Sequence, residues 1–132
     1  MNNQATKILI VDDNPYFSQA VSNVLVEFGY KVAVEHSALS VMTSISKEKP
    51  DLILLDLRMP KVGGREVIKT LIRKGIETPI VVVSGFLSEE DFLFFRKQGV
   101  KHFLAKPLDT ETLLAKIQEV LGGEMATSVN GS

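Results

Sequence analysis

The chain contains no cysteine among its 132 residues, so neither a disulfide framework nor a thiolate metal site is possible. No apolar stretch approaches the roughly 20 residues that a membrane-spanning helix needs. An excess of charge of one sign is also missing, because 15 Lys and Arg residues balance 16 Asp and Glu residues. The composition therefore gives no reason to expect binding to nucleic acid or to an anionic membrane surface.

Several motif classes are absent as well. There is no Walker loop of the form Gly-x-x-x-x-Gly-Lys-Ser/Thr, and the polar start of the chain is unlike a signal peptide. No helix-turn-helix pattern follows Leu121. With 45% hydrophobic and 23% charged residues, the composition is that of an ordinary globular domain with a real core. We expect a soluble, cytoplasmic, single-domain protein.

Apolar, strand-like runs alternate with helix-like stretches five times along the chain. Continuous apolar strands joined by helices predict a parallel sheet that is covered on both faces. Right-handed crossovers then make the fold a doubly wound α/β sandwich. The predicted strands are residues 7–11, 30–35, 52–55, 80–83 and 103–105.

Helices are predicted between and after these strands. Asn14 is a good N-cap and Pro15 suits the first helical position. In the second helix, we expect Leu39 on the buried face. Periodicity is lost after the last helix, so we expect a domain of residues 1–121 and a flexible tail of residues 122–132. The predicted helices are residues 15–28, 38–48, 89–98 and 110–121, with a further one after the Gly63-Gly64 loop that carries Val67, Ile68, Leu71 and Ile72.

Polar side chains follow four of the predicted strands at one edge of the sheet. The most informative is Asp56, because the buried strand 52–55 leads directly to its carboxylate. In an open α/β sheet, ligands bind at this carboxyl edge. A carboxylate there is unfavourable unless its charge is compensated. The side chains that this topology brings together are Asp12, Asp13, Asp56, Ser84 and Lys106.

The chemistry of this set points to phosphoryl transfer. Three adjacent carboxylates raise one another's pKa, and a divalent cation relieves their repulsion. Mg²⁺ fits an all-oxygen site with few protein ligands. Lys106 offers a compact charge for a phosphate oxygen or for Asp56, and Ser84 offers a hydroxyl donor. A carboxylate nucleophile, a cation, a lysine and a hydroxyl are the parts of in-line transfer to an aspartate.

Each of these side chains also has a purely structural interpretation. The acid pair Asp12 and Asp13 could cap a helix. Ser84 could simply end a strand, and Lys106 could be a solvated lysine. Their occurrence together at one edge favours a site, whereas two isolated histidines, His36 and His102, are interpreted as surface or edge residues.

Four segments make the chain resemble the response-regulator receiver domain of two-component signalling, similar to a chemotaxis receiver, over about residues 7–121. Together, and in this order, they are a strong signal. The resemblance implies a flavodoxin-like (βα)5 sandwich with strand order 2-1-3-4-5. The segments are 11–14 (Val-Asp-Asp-Asn), 51–60 (Asp-Leu-Ile-Leu-Leu-Asp-Leu-Arg-Met-Pro), Ser84-Gly85 and 103–107 (Phe-Leu-Ala-Lys-Pro).

The resemblance implies that Asp56 is the phosphoacceptor. Asp13 would bind Mg²⁺ directly and Asp12 largely through water. Asp56 and the backbone carbonyl of Arg58 would complete the protein ligands. Arg58 and Phe86 also stand where the family tunes the lifetime of the phosphoryl group.

The resemblance implies a switch as well. Ser84 and Lys106 would grip the phosphoryl group, and the Lys106–Pro107 peptide would be cis. Ser84 would move toward the phosphoryl group, and Phe103 would fill the vacated space. The face formed by the fourth helix, fifth strand and fifth helix would then change shape and signal by protein contact.

The expected phosphodonor is a histidine kinase or a phosphotransfer protein. The expected output partner is a downstream protein or a second copy, because no further domain pattern follows Leu121; the chain could also be the receiver part of a longer protein. We expect no enzyme activity beyond self-phosphorylation and slow self-dephosphorylation. The alternative is a non-phosphorylated pseudo-receiver that acts as a binding module.

Two enzyme or carrier classes fit less well. A phosphohydrolase usually has a second acid two residues after its nucleophile, where this chain has Arg58. A flavin carrier needs a Ser/Thr/Gly-rich phosphate loop after Val11, which this chain lacks.

Some residues depart from the family pattern. Gly63-Gly64 stands where an Asp-Gly pair is usual, and Arg65 replaces an apolar residue, so we expect a looser loop. Gly85 replaces the more frequent alanine beside Ser84, which gives extra backbone freedom.

The apolar segment of residues 92–95 is the least expected feature. Leu93 and Phe95 fall where the fourth helix faces inward. Phe92 and Phe94 fall where that helix is normally polar. They are a candidate exposed patch for a partner or dimer contact.

Overall fold

The computed structural model describes residues 6–56 and 63–131, with side chains described as far as residue 122. The strands are β1 (Lys7–Val11), β2 (Lys31–Glu35), β3 (Leu52–Asp56), β4 (Ile80–Ser84) and β5 (His102–Ala105). The helices are α1 (Pro15–Glu27), α2 (Val41–Glu48), α3 (Gly64–Arg73), α4 (Glu89–Lys97) and α5 (Thr110–Gly131), with a 3₁₀ turn at Ala38–Ser40 before α2.

All five strands pair in parallel in the order β2-β1-β3-β4-β5, which confirms the fold class and strand order expected from the sequence. Val11 of β1 pairs with Leu55 of β3, and Asp56 pairs with Val83 of β4. Because the strands are parallel and in register, their carboxyl ends form one edge. The residues that end or follow these strands are therefore neighbours in space.

The core lies in two layers, one on each face of the sheet. Buried side chains of α1 and α5 pack with alternate residues of the strands on one face, and those of α2, α3 and α4 pack on the other. The central strand β3 is buried along its whole length. Burial on both faces explains why β3 is a continuous apolar run instead of an alternating one.

The start of α1 forms as its sequence predicts. The side-chain oxygen of Asn14 accepts hydrogen bonds from the N–H groups of Tyr16 and Phe17, at 3.0 and 3.2 Å. Pro15 occupies the first turn, where its missing N–H has no intrahelical partner to lose. This cap holds α1 directly after the acid pair that follows β1.

The second helix begins later than the sequence pattern predicts. Residues Ala38–Ser40 form a 3₁₀ turn, and Leu39 is 82% exposed instead of buried. A 3₁₀ turn has three residues per turn, so it rotates Leu39 away from the face that an α-helical period assigns to it. The prediction for Leu39 was therefore wrong.

The last helix α5 continues to Gly131, past the end at Leu121 that periodicity predicts. The apolar pattern reports a packing face, whereas the helix is defined by its backbone, so the two need not end together. The domain limit at residue 121 and the flexibility of residues 122–132 stay predictions. Within residues 6–56 and 63–131, no helix combines the length and apolarity needed to cross a bilayer.

Candidate functional site

The structure brings together three acids at the carboxyl edge of the sheet. Asp12 and Asp13 follow β1, and Asp56 ends β3. Three carboxylate oxygens, one from each side chain, all lie within 4.8 Å of one another. Asp12 and Asp56 are 1% and 2% exposed, while Asp13 is exposed.

Lys106 supplies a positive charge to this acid pocket. Its Nζ lies 3.3 Å from Asp56 Oδ2 and 3.7 Å from Asp12 Oδ2, and the lysine side chain is only 12% exposed. The backbone N–H of Lys106 donates to the carbonyl of Ser84 at 2.9 Å, which extends the pairing of β4 and β5. The Lys106–Pro107 peptide is cis, as the resemblance implies.

Asp12 is a buried acid whose two oxygens have different surroundings. Its Oδ1 accepts a hydrogen bond from the N–H of Asn14 at 2.8 Å. Its Oδ2 is buried and accepts no hydrogen bond from any described residue. Burial, together with the adjacent Asp56 carboxylate, raises the pKa of Asp12 to about 6, although the Asn14 N–H and the Lys106 charge act in the opposite direction.

The residues fit a divalent cation with oxygen ligands. The donor set consists of carboxylates, and the buried Asp12 Oδ2 without a hydrogen bond is the kind of atom that a cation or its bound water would satisfy. Mg²⁺ prefers such a site over a thiolate or imidazole cage. Arg58, assigned both as a carbonyl ligand and as a lifetime-tuning residue, lies in residues 57–62, outside the described part of the chain.

Ser84 is near the pocket, but its hydroxyl is bonded within its own loop. Its Oγ donates to the carbonyl of Phe86 at 2.6 Å and accepts from the N–H of Phe86 at 3.1 Å. Phe86 itself is 79% exposed. The intervening Gly85 has no left-handed backbone angle, and among the described atoms an added Cβ would meet only Lys106 Cβ, at 4.0 Å. An alanine would therefore fit, and the conformation does not require the extra freedom of glycine.

The aromatic residue assigned to the switch contacts α4. Phe103 is half-buried, and its ring centroid lies 5.0 Å from that of Phe92. Phe92 is 39% exposed. A change in the position of Phe103 would therefore act on the helix that borders the candidate output face.

The rest of the 92–95 segment is arranged differently from the prediction. Phe95 is fully buried as expected, but Leu93 is 58% exposed, so its predicted inward position was wrong. Leu93 stands two positions before Phe95, which is about 200° around the helix. Phe94 is half-buried and packs edge-to-face on Phe95 with centroids 5.2 Å apart. The exposed apolar pair on α4 is thus Phe92 and Leu93.

Arg65 connects the start of α3 to α4. Its Nε and Nη2 donate to Asp91 Oδ1 at 3.0 and 2.7 Å, and its guanidinium carbon lies 4.6 Å from the centroid of the Phe94 ring. The sequence predicts only a looser loop from Gly63-Gly64-Arg65. The arginine instead forms an ion pair and a cation–π contact between two helices.

Sequence reasoning missed Phe17. Its ring centroid lies 4.1 Å from Lys106 Nζ. The available signal was its place in the first turn after the acid pair, on the helix face that turns toward the sheet edge. His36 was interpreted as a surface residue and is exposed, with Nδ1 2.9 Å from the backbone oxygen of Asp12.

The comparison with protein families agrees with the geometry. The family model of the response regulator receiver domain matches residues 8–118. The chain belongs to this family. This match confirms the resemblance seen in the sequence. As a family, receiver domains are signalling modules of two-component systems, not classical enzymes.

Individual relatives of this receiver domain differ in length. Protein PilH of Pseudomonas aeruginosa is 34% identical over 120 residues, which cover 89% of this chain and 98% of PilH. Response regulator MprA of Mycobacterium bovis is 30% identical over 117 residues, but these cover only 51% of MprA. The chain therefore spans nearly all of one relative and about half of another.

Solved structures with the same fold include other receiver domains. A CheY-like receiver domain from Methanospirillum hungatei superposes with a TM-score of 0.85 at 27% identity, covering 92% of this chain and 97% of that one. Chemotaxis protein CheY4 of Vibrio cholerae gives a TM-score of 0.82 at 31% identity, covering 88% of this chain and 98% of that one.

Proposed function

We propose that this receiver domain is a phosphorylation-dependent switch that accepts a phosphoryl group on Asp56 in the presence of Mg²⁺. One observation carries the proposal. Asp56 is a buried carboxylate with a lysine ammonium at 3.3 Å and two further acids close enough to share a cation. These groups lie together, as a nucleophilic oxygen, a cation site and a phosphate-pairing lysine would have to do.

In the proposed step, a carboxylate oxygen of Asp56 attacks the phosphorus atom of a phosphohistidine. A P–O bond forms as the P–N bond breaks, and the histidine nitrogen keeps the bonding electron pair. Lys106 pairs with the negative charge of the transferred group. Asp12, Asp13, Asp56 and the Arg58 carbonyl would hold Mg²⁺, and a cation bound there would supply neutralising charge for the phosphoryl oxygens.

In the second half of the cycle, water slowly hydrolyses the acyl phosphate. This restores the Asp56 carboxylate and releases inorganic phosphate. We assign Phe86 a role in setting the rate of this step, because it lies two residues after Ser84 and its side chain is exposed. Arg58 is assigned the same role by its position two residues after Asp56. Self-phosphorylation and this slow hydrolysis are the only reactions we propose.

The switch would begin at Ser84. To donate to a phosphoryl oxygen, its hydroxyl must leave the carbonyl of Phe86, which exchanges a neutral hydrogen bond for a stronger charge-assisted one. Phe103 would then move into the space beside Ser84. Since the Phe103 ring lies against Phe92, the movement would reach α4 and the surface of α4, β5 and α5.

The proposed partners are proteins. A histidine kinase or phosphotransfer protein would supply the phosphoryl group, and a downstream protein or a second copy would bind the α4–β5–α5 surface. Phe92 and Leu93 are the apolar side chains of α4 available for such a contact, with Phe94 only half-buried beneath Arg65. The balanced charge of the chain favours neither nucleic acid nor a membrane as a partner, and we place the function in the cytoplasm.

Beryllofluoride, a mimic of the phosphoryl group, tests the proposal. Wild-type protein is expected to bind it only when Mg²⁺ is present, with chemical-shift changes at Ser84, Phe103 and α4. Asp56→Asn should abolish binding, because the amide cannot supply the anionic oxygen that bonds to beryllium. Asp51→Asn is the matched control, since Asp51 is an exposed acid at the other end of the same strand.

Two results would overturn the proposal. One is wild-type protein that binds Mg²⁺ but not beryllofluoride, which would favour a pseudo-receiver that acts only as a binding module. The other is beryllofluoride binding that survives in Asp56→Asn, which would place the acceptor elsewhere.

A further inference from the structure

The aromatic ring of Phe17 lies beside the charged end of Lys106. The distance from Lys106 Nζ to the ring centroid is 4.1 Å, well inside the roughly 6 Å range of a cation–π contact. Phe17 is held in place by its backbone and by its side chain. The backbone N–H of Phe17 donates to the Asn14 cap at 3.2 Å, and its half-buried side chain packs against the core layer of α1 and α5.

Among the described residues, the ammonium also contacts two carboxylates. Asp56 Oδ2 and Asp12 Oδ2 lie at 3.3 and 3.7 Å, so the ring contributes an uncharged attraction to a cation that is otherwise held by acids. Lysine carries its charge on a flexible four-carbon stem, so the position of Nζ depends on what surrounds it. Within residues 6–56 and 63–122, two acids and one aromatic ring surround it.

An aromatic ring has an advantage over a third acid at this place. A further carboxylate would attract the ammonium equally well, but it would also repel an incoming phosphoryl group. The ring quadrupole attracts a cation without adding net charge to the pocket. Phe17 also lines the same small pocket as Asp12 and Asp56, so its ring belongs to the surroundings of the acids that the ammonium contacts.

We propose that Phe17 is a positioning residue for phosphoryl capture, which holds the Lys106 ammonium at the mouth of the acid pocket through its ring face. The inference rests on the proposed function, since it assigns Lys106 to the phosphoryl group. It adds that phosphoryl binding depends on an aromatic side chain at position 17, while cation binding does not.

The test compares Phe17→Leu, which keeps an apolar side chain but removes the ring, with Phe17→Tyr, which keeps the ring. Phe17→Leu is expected to weaken Mg²⁺-dependent beryllofluoride binding by about 3- to 30-fold, the range of a partly desolvated cation–π contact. Its Mg²⁺ affinity should stay within about twofold of wild type. Phe17→Tyr should restore beryllofluoride binding, and Tyr16→Leu, on the same turn but 86% exposed, should leave it unchanged.

A second readout uses the protein without metal or phosphoryl mimic. The ring current of Phe17 should shift the ε-methylene proton signals of Lys106 upfield in wild type and in Phe17→Tyr. In Phe17→Leu this shift should disappear. If Phe17→Leu does not fold, Phe17→Met replaces it, because methionine fills irregular space with a flexible apolar chain and has no ring.

The outcomes separate this inference from the proposed function. Wild-type protein that fails to bind beryllofluoride contradicts the proposed function. Normal wild-type binding that is unchanged in Phe17→Leu overturns the role of Phe17 alone. Equal losses of Mg²⁺ and beryllofluoride affinity, or a Phe17→Tyr variant as weak as Phe17→Leu, would show that Phe17 only supports the fold.

Discussion

Replacing Asp12 with asparagine is expected to stabilise the metal-free protein against unfolding and to weaken its Mg²⁺ binding. The Asp12 carboxylate is buried beside Asp56, and its Oδ2 accepts no hydrogen bond from the described residues. Burial raises its pKa to about 6 from an ordinary value of 3.8. Keeping this group ionised in the folded protein therefore costs up to about 3 kcal/mol, and an amide of the same shape removes most of that penalty.

The pH dependence gives the sign of this effect. Because the folded pKa of Asp12 lies above the unfolded one, the folded protein binds more protons between about pH 4 and pH 6. The free energy of unfolding should fall as the pH rises through that window and level off above it. This component should be absent in Asp12→Asn.

Urea unfolding in the presence of a chelator, across this pH range, measures the difference between wild type and Asp12→Asn. The variant should be more stable by about 1–3 kcal/mol at pH 7 and show a smaller gain near pH 4. Added Mg²⁺ should stabilise wild type more than the variant, since only a ligand that binds the folded state raises the unfolding free energy. A variant less stable than wild type at pH 7 would contradict the electrostatic interpretation of the pocket.

Replacing Lys106 with methionine is expected to have the opposite effect on stability. Lys106 has its ammonium within 4 Å of both Asp12 and Asp56, in a side chain that is only 12% exposed. Removing it leaves two buried carboxylates without that cation, which should destabilise the metal-free protein by about 2–4 kcal/mol. Mg²⁺ affinity should rise several-fold, because the bound cation no longer competes with the ammonium.

The measurement is again chelator-treated unfolding, together with a Mg²⁺ titration. Lys101→Met, at an exposed lysine just before β5, is the matched control and should change both quantities little. The double variant Asp12→Asn/Lys106→Met should be more stable than the sum of the two single free-energy changes predicts, because the two groups interact directly. Additive effects, or weaker Mg²⁺ binding in Lys106→Met, would count against this description of the pocket.

The sheet and its acid edge could be predicted because both depend on local sequence signals. Apolar runs set the strands, and parallel topology then brings their last residues together. The sequence predicts that β3 and β4 end one residue earlier than they do, and this error has a simple cause. Asp56 and Ser84 are polar, so hydropathy excludes them, yet both pair within the sheet. The order of strands and helices was thus enough to predict that these distant polar residues meet at one edge of the sheet.

Side-chain environment was less predictable. Leu39 is exposed because a 3₁₀ turn changes the direction of its side chain. Leu93 is exposed because α4 is rotated so that Phe95, two positions later, faces the core. The contact between Phe17 and Lys106 joins residues far apart in the chain. Such contacts depend on how helices are rotated against the sheet, which periodicity does not determine.

The most direct measurement is to map the phosphorylated residue after incubation with a small phosphodonor such as phosphoramidate. With Mg²⁺ present, the phosphoryl group should be found on Asp56 by mass spectrometry of borohydride-trapped peptides, and it should be absent in chelator. A phosphoryl group on another side chain, or none on a folded protein that binds Mg²⁺, would contradict Asp56 as the acceptor.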